Sequence, residues 1–467
     1  MTATMIDALP RFAARALAGA ALLLAAAAPA CATQIERIVS PGGIEVWLVQ
    51  EPTVPLIAMD FAFRGGSAQD SDDKPGVASF VAGTIDEGSG NLTSRAFHET
   101  LESKAIELSF TATRDYFSGS LRTLVENKDE AFALARDCLI APRFDAPDVE
   151  RIRGELYAIL RRESTTPTDI ASDRWWSTAF AGHPYGRPLR GTPDSVKQIT
   201  ADDLRAYVRN VFARDNLKVG IVGNISPADA GALVDKVFGA LPAHATLREV
   251  PAASPQGLGR VLRVEFDVPQ SVLLLGGVGI ARKDPDFIPA FVVNHILGGG
   301  MLSSRLYHEV RESRGLVYSI NSTIAPLART SLFMTTTATR ADATDQTLDL
   351  VMHEVHRLAE TGPTDDELAQ AKSFLKGSFP LRLDTSTKIA AQLVLMQVED
   401  MGIDYIDKRN GLIDAVSPAD AKRVAKRLLD GNMLVTVVGR SKPELAKGDT
   451  PGAGAGTSGP PALLKSH

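Results

Sequence analysis

The chain has 467 residues, 44% of them hydrophobic and 23% charged, with a formal net charge of −6. This is the composition of a globular protein with room for roughly two to four domains, and it excludes a collagenous or wholly disordered chain. A mild negative charge without a basic patch argues against nucleic acid as a partner.

The N-terminus reads as an export signal. Arg11 and Arg15 precede an Ala/Leu-rich run, residues 16–28, and Ala28-Pro29-Ala30 and Ala30-Cys31-Ala32 are small-x-small cleavage sites. The run is shorter than the ~20 residues that cross a bilayer, so residues 1–32 are expected to be removed and the mature protein to be periplasmic. Cys31 offers a point of lipid attachment, but no Leu stands three residues before it. With the signal gone, Cys138 alone remains and no disulfide framework is possible. It lies in an amphipathic segment and is expected to be buried. No second run is long enough to span a membrane.

In chain order, a strand pair surrounds Pro41-Gly42-Gly43 and a strand covers 56–63. Helices follow over 76–84 and 95–104. A hairpin, 106–112 and 116–124, turns at Thr113-Arg114-Asp115. Helices cover 127–139, 147–162 and 170–180, followed by the turn His183-Pro184-Tyr185-Gly186. Thr200 caps a helix to 212, because its hydroxyl can accept from the free first-turn amides. A strand, 216–222, ends at Gly223, and Ser226-Pro227 opens a helix to 241.

After a Pro/Ala/Gly-rich linker, 250–259, the order returns. Strands cover 261–266 and 272–280, then a helix covers 286–297. Gly298-Gly299-Gly300 leads into a short helix, 303–313, with Leu306 and Val310 on one face. Gly315 is its stop, and Arg311 and Tyr318 flank that stop on one side. A hairpin (318–324, 330–338) and helices over 343–360, 364–376 and 386–398 come next. Ser417-Pro418 opens a helix to 429 before a strand at 432–438. Asn216-Leu217-Lys218-Val219-Gly220-Ile221-Val222-Gly223 is echoed by Asn432-Met433-Leu434-Val435-Thr436-Val437-Val438-Gly439. The expected fold is α+β: two homologous mixed α/β sandwich-like domains, 33–249 and 260–440, in tandem. Residues 441–467, rich in Gly, Ala and Pro, read as a disordered tail.

The glycines with Met301, Arg305 and Leu306, the run Val310-Arg311-Glu312-Ser313-Arg314-Gly315-Leu316-Val317-Tyr318, and His183-Pro184-Tyr185-Gly186 together resemble the inverzincin peptidases: pitrilysin, insulin-degrading enzyme and the mitochondrial processing peptidases. The resemblance spans residues 35–439. It implies two halves facing each other like a clam shell, and in active members an HxxEH helix whose histidines bind zinc around a general-base glutamate. Zinc catalysis needs three protein ligands and an open position. Here Ser79 stands for the first histidine, Ala82 for the base and Gly83 for the second histidine. Glu155 lies near the region of the third ligand, where a lone carboxylate reads as solvated.

None of the eight histidines is four residues from another. His353 and His356 form only an i, i+3 pair. No cofactor is therefore expected on this chain, and zinc is expected in a partner subunit. In active relatives an arginine and a tyrosine seven residues later, in the second half, bind substrate and stabilise the transition state; Arg311 and Tyr318 match both types and spacing. The resemblance thus implies a non-catalytic subunit of a heteromeric metallopeptidase. It would lend Arg311 and Tyr318 to a homologous subunit carrying HxxEH, with a peptide as substrate. The alternative is an inactive peptide-binding or scaffolding protein of the same fold.

Overall fold

The computed structural model describes residues 34–440. The export signal, Cys31 and the tail from 441 lie outside the described residues. Among the described residues no helix is long and apolar enough to cross a membrane.

The first half opens with β1 (Glu36–Val39), β2 (Glu45–Gln50) and β3 (Leu56–Arg64), followed by α1 (Val77–Thr84). A small pair, β4 (Gly88–Ser89) and β5 (Leu92–Thr93), precedes α2 (Ser94–Ser103) and the hairpin β6 (Glu107–Ala112) and β7 (Tyr116–Leu124). Then come α3 (Lys128–Ile140), α4 (Ala146–Glu163), α5 (Pro167–Ala179), α6 (Pro193–Gln198), α7 (Ala201–Val211), β8 (Leu217–Gly223) and α8 (Pro227–Phe238). The second half has β9 (Val261–Glu265), β10 (Gln270–Val278), α9 (Phe287–Asn294), β11 (Val317–Pro326) and β12 (Ser331–Arg340). It closes with α10 (Thr344–Thr361), α11 (Asp365–Gly377), α12 (Ser386–Val398), α13 (Tyr405–Asp414), α14 (Pro418–Leu429) and β13 (Leu434–Gly439). The short α6 and α13 have no counterpart in the reading from sequence.

Each half builds one mixed sheet. The orders are β1-β2-β8-β3-β7-β6 and β11-β12-β10-β13-β9. In each, the C-terminal strand of the half runs parallel to one neighbour, β8 to β2 and β13 to β9, and the remaining pairs are antiparallel. The repeat read from the echoing strands is thus a repeat of topology. Alternation decides which side is the core. Ile57, Met59, Phe61 and Phe63 of β3 point into a cluster with helices of the same half, and Leu273 and Leu275 of β10 do the same in theirs. Cys138 is a buried free thiol in the first cluster, and burial raises its pKa.

The opposite face of each sheet is covered from the other half. Helix α5 packs on β13 and β10, and α12 packs on β8 and β3. Trp175 of α5 is wholly buried with Val272, Leu274, Leu434 and Val438. In the other direction Ala390, Leu393 and Met396 of α12 meet Trp47, Val49, Ala58 and Val222. Each exchanged helix also gives one side-chain hydrogen bond to a matching strand: Trp175 Nε1 donates to Leu434 O at 3.0 Å, and Gln397 Nε2 to Val219 O at 2.9 Å. Glycines admit both helices. A Cβ on Gly276 would collide with the Trp175 ring, and one on Gly220 would lie 2.8 Å from Ala390 O. Sequence order and packing therefore part company at α5 and α12.

Asp60 lies on the exchanged face of β3, two residues from Ala58. Its Oδ2 is buried with no hydrogen-bond partner, and burial pushes its pKa up to about 6 against a hydrogen bond from Ser120, its cross-strand neighbour. A raised carboxyl pKa means that the native state resists ionisation, so stability falls as pH rises from about 4 to about 6 and stays lower above. A shift of about two units corresponds to about 2–3 kcal/mol. Asp60→Asn is expected to raise the unfolding free energy at pH 7 by up to about 2 kcal/mol and to leave it unchanged near pH 4. Denaturant titrations at the two pH values check this; an equal effect at both would refute it.

Candidate functional site

Helix α1 begins where buried Asp70 accepts from the backbone N–H of Gly76 (2.8 Å) and Ala78 (2.9 Å). Burial pushes this carboxyl up to about 7. The helix presents no ligand set. Ser79 donates its hydroxyl to Leu189 O at 2.8 Å. Ala82 carries no polar atom, and a Cβ on Gly83 would lie 3.5 Å from Ile152 of α4. Buried Ile152 and Leu156 make α4 apolar where it packs in this core. Glu155 is exposed and pairs with Arg151 at 2.8 Å. Zinc does not fit these residues. His353 and His356 are both exposed on α10, while Glu354 between them is buried and paired with Arg357 at 2.5 Å. Among the described residues no three His, Cys, Asp or Glu side chains converge as metal ligands.

The glycine-rich stretch is built differently from the helix expected there. Residues His295–Gly299 and Tyr307–Glu312 are π-helical, a wide turn that often marks functional sites. Gly300 N donates to His295 O at 2.8 Å and Ser313 N to His308 O at 2.9 Å, both across five residues. None of the three glycines takes a left-handed backbone; that conformation falls on Met301, at φ 49°. What the stretch needs is clearance. A Cβ on Gly298 would lie 2.6 Å from Ser322 Oγ of β11, and Ser322 in turn donates to Asn294 Oδ1 at 2.8 Å. Gly315, at φ 62°, does close the helix, its N–H reaching Arg311 O at 2.9 Å.

Beyond Gly315 the chain enters β11, the edge strand of its sheet. Its register with β12 slips between Val317 and Ile320, a bulge that turns Tyr318 outward. Tyr318 is 84% exposed. The Arg311 guanidinium lies 5.3 Å from its ring centroid, so the two candidate residues meet as their spacing suggested. The guanidinium also lies over Tyr307, at 4.6 Å. Tyr307 was not singled out from sequence; its position four residues before Arg311 on one helix is the signal that could have found it. The neighbouring acid is occupied elsewhere: Glu309 pairs with Arg314 at 2.7 Å and faces Arg357 of α10 at 3.7 Å. Hydrogen bonding to Arg314 holds its carboxyl below the usual range.

The His183-Pro184-Tyr185-Gly186 turn is a joint rather than a chemical group. Tyr185 donates its hydroxyl to Asp115 Oδ1 at 2.5 Å and accepts from Arg329 N at 3.1 Å, while Asp115 Oδ2 accepts from Ala328 N at 2.9 Å. This ties the β6–β7 turn to the β11–β12 turn. His183 Nε2 reaches Pro251 O at 3.1 Å, adding the linker to the joint.

Comparison with known proteins finds two family matches in tandem. Residues 45–193 match the family described as Insulinase (Peptidase family M16), and residues 198–375 match the Peptidase M16 inactive domain. An uncharacterized zinc protease of Streptomyces coelicolor is 27% identical over 425 residues, 88% of this chain and 91% of that one. The non-peptidase homolog YmxG of Helicobacter pylori is 27% identical over 339 residues, 71% of this chain and 77% of that one. The crystal structure of a peptidase M16 inactive domain from Pseudomonas fluorescens superposes with a TM-score of 0.82 at 28% identity, covering 88% of this chain and 99% of that one.

Proposed function

The chain belongs to peptidase family M16, the insulinase family, and as an inactive member of it we propose that it serves as the metal-free subunit of a periplasmic heteromeric peptidase, lending Arg311 and Tyr318 to a homologous subunit that carries HxxEH and zinc. One observation carries the reading: the helix that should hold metal has lost every ligand, while the guanidinium and phenol of the second half stand together on an exposed edge strand. A purely structural chain has no use for that pair. A guanidinium can fork onto a peptide carbonyl or carboxylate, and a phenol can donate to an oxyanion as it develops. Both groups here are unspent: neither makes a hydrogen bond or ion pair among the described residues. The bulge that exposes Tyr318 and the π turn that carries Arg311 fix their relative placement before substrate arrives, as pre-organised catalysis requires.

The test is reconstitution. The mature chain, the HxxEH-bearing homologue and a mixture of the two are assayed with a quenched peptide, and zinc is measured in each. The expected result is hydrolysis by the mixture well above either chain, with substoichiometric zinc in this chain alone. Peptide binding without any gain in hydrolysis on mixing would favour the scaffolding role instead. Chelator-sensitive hydrolysis by this chain alone would overturn both readings.

A further inference from the structure

Building on the reading that Arg311 serves a partner's site, we propose that Tyr307 is a positioning residue that holds the Arg311 guanidinium in place while leaving all its N–H donors free. A buried or half-buried arginine is ordinarily fixed by a carboxylate, which consumes the donors that would bind substrate. An aromatic face attracts the same cation through its quadrupole and takes none of them. Arg311 is held in the second way. Its Cζ lies 4.6 Å from the Tyr307 centroid and 5.3 Å from that of Tyr318. The two rings are not equivalent. Tyr318 is 84% exposed, whereas Tyr307 is 8% exposed, between Leu306 and the nearby Val310, both wholly buried. Tyr307 is therefore the fixed surface and Tyr318 the open one. Glu309, two residues before Arg311, is drawn off, because it is held by Arg314 and faces Arg357. The π register places Arg311 over this ring in a turn closed across five residues by Ser313 N and His308 O at 2.9 Å.

The experiment is a double-mutant cycle in the reconstituted mixture, with thermal midpoints recorded for every variant. Tyr307→Phe keeps the ring and is expected to keep kcat/KM within about twofold. Tyr307→Leu removes the ring's quadrupole and is expected to lower kcat/KM by about tenfold. In an Arg311→Ala background Tyr307→Leu is expected to do nothing further, which a merely structural role would not produce. Equal losses in both backgrounds would overturn the proposal. An Arg311→Ala variant with full activity would instead show that the reading of the site itself has failed. A second measurement needs no variant to fold: NMR of the arginine-labelled wild-type chain should show the Arg311 side-chain protons shifted upfield by the rings, and unshifted signals would overturn the stacking.

Discussion

Tyr318→Phe is expected to lower kcat of the reconstituted mixture by about 100-fold or more while leaving the thermal midpoint of this chain unchanged. The size follows from what is removed, a single hydrogen-bond donor to developing negative charge, whose loss costs about 10²–10³ in comparable sites. The absence of a stability effect follows from exposure. The residue is 84% exposed and its hydroxyl makes no hydrogen bond among the described residues, so phenylalanine loses no hydrogen bond seen there. Arg311→Ala is expected to cost at least as much in kcat/KM and to raise KM as well, because a guanidinium also binds the ground-state carbonyl. Arg311→Lys should rescue little, since an ammonium is a point charge without the planar fork. Steady-state kinetics on the mixture decide the matter. Unchanged kcat in Tyr318→Phe would remove the phenol from the mechanism.

Trp175→Ala is expected to destabilise the chain by about 3–5 kcal/mol, the usual cost of deleting a large buried aromatic. The substitution also leaves the Leu434 carbonyl without its donor, which adds the penalty of an unsatisfied buried group. The loss should be felt in the second half although Trp175 belongs to the first by sequence. Hydrogen exchange would report it as lost protection in β10 and β13. Gly276→Val is expected to act from the other side, since its side chain needs the space that the Trp175 ring fills. A Trp175→Ala chain within about 1 kcal/mol of wild type would mean that α5 is not part of the second half's core.

Much of this was legible before any coordinates. The hairpin at Thr113-Arg114-Asp115 and the helix over Ser386–Val398 fall where periodicity and turn residues put them. The Thr200 and Ser417 caps accept from the third residue beyond, as their chemistry dictates. The loss of HxxEH is a statement about side-chain identity, which sequence gives directly.

Three features were not legible, each for a physical reason. The π turns depend on one hydrogen-bond offset that no residue type specifies, so the segment before Arg311 reads as an ordinary helix. The glycines at 298–300 suggest unusual backbone angles, yet none is left-handed, and Gly298 instead serves close approach to Ser322, a contact set by distant chain. The exchange of α5 and α12 is invisible because an apolar helix face records only that it is buried, not which sheet buries it.

That exchange also decides where an enclosing chamber can open. A hinge at the linker would have to draw the Trp175 indole out from β10 and β13 while lifting Leu393 and Met396 off β8 and β3. The Tyr185 joint between the two hairpin turns would have to break in the same motion. Those costs fall together, so the two halves travel as a single jaw. On the proposed heteromeric reading, the gap through which a peptide enters would then lie between this chain and its partner, and the rate of admission would be governed by how tightly the two subunits grip.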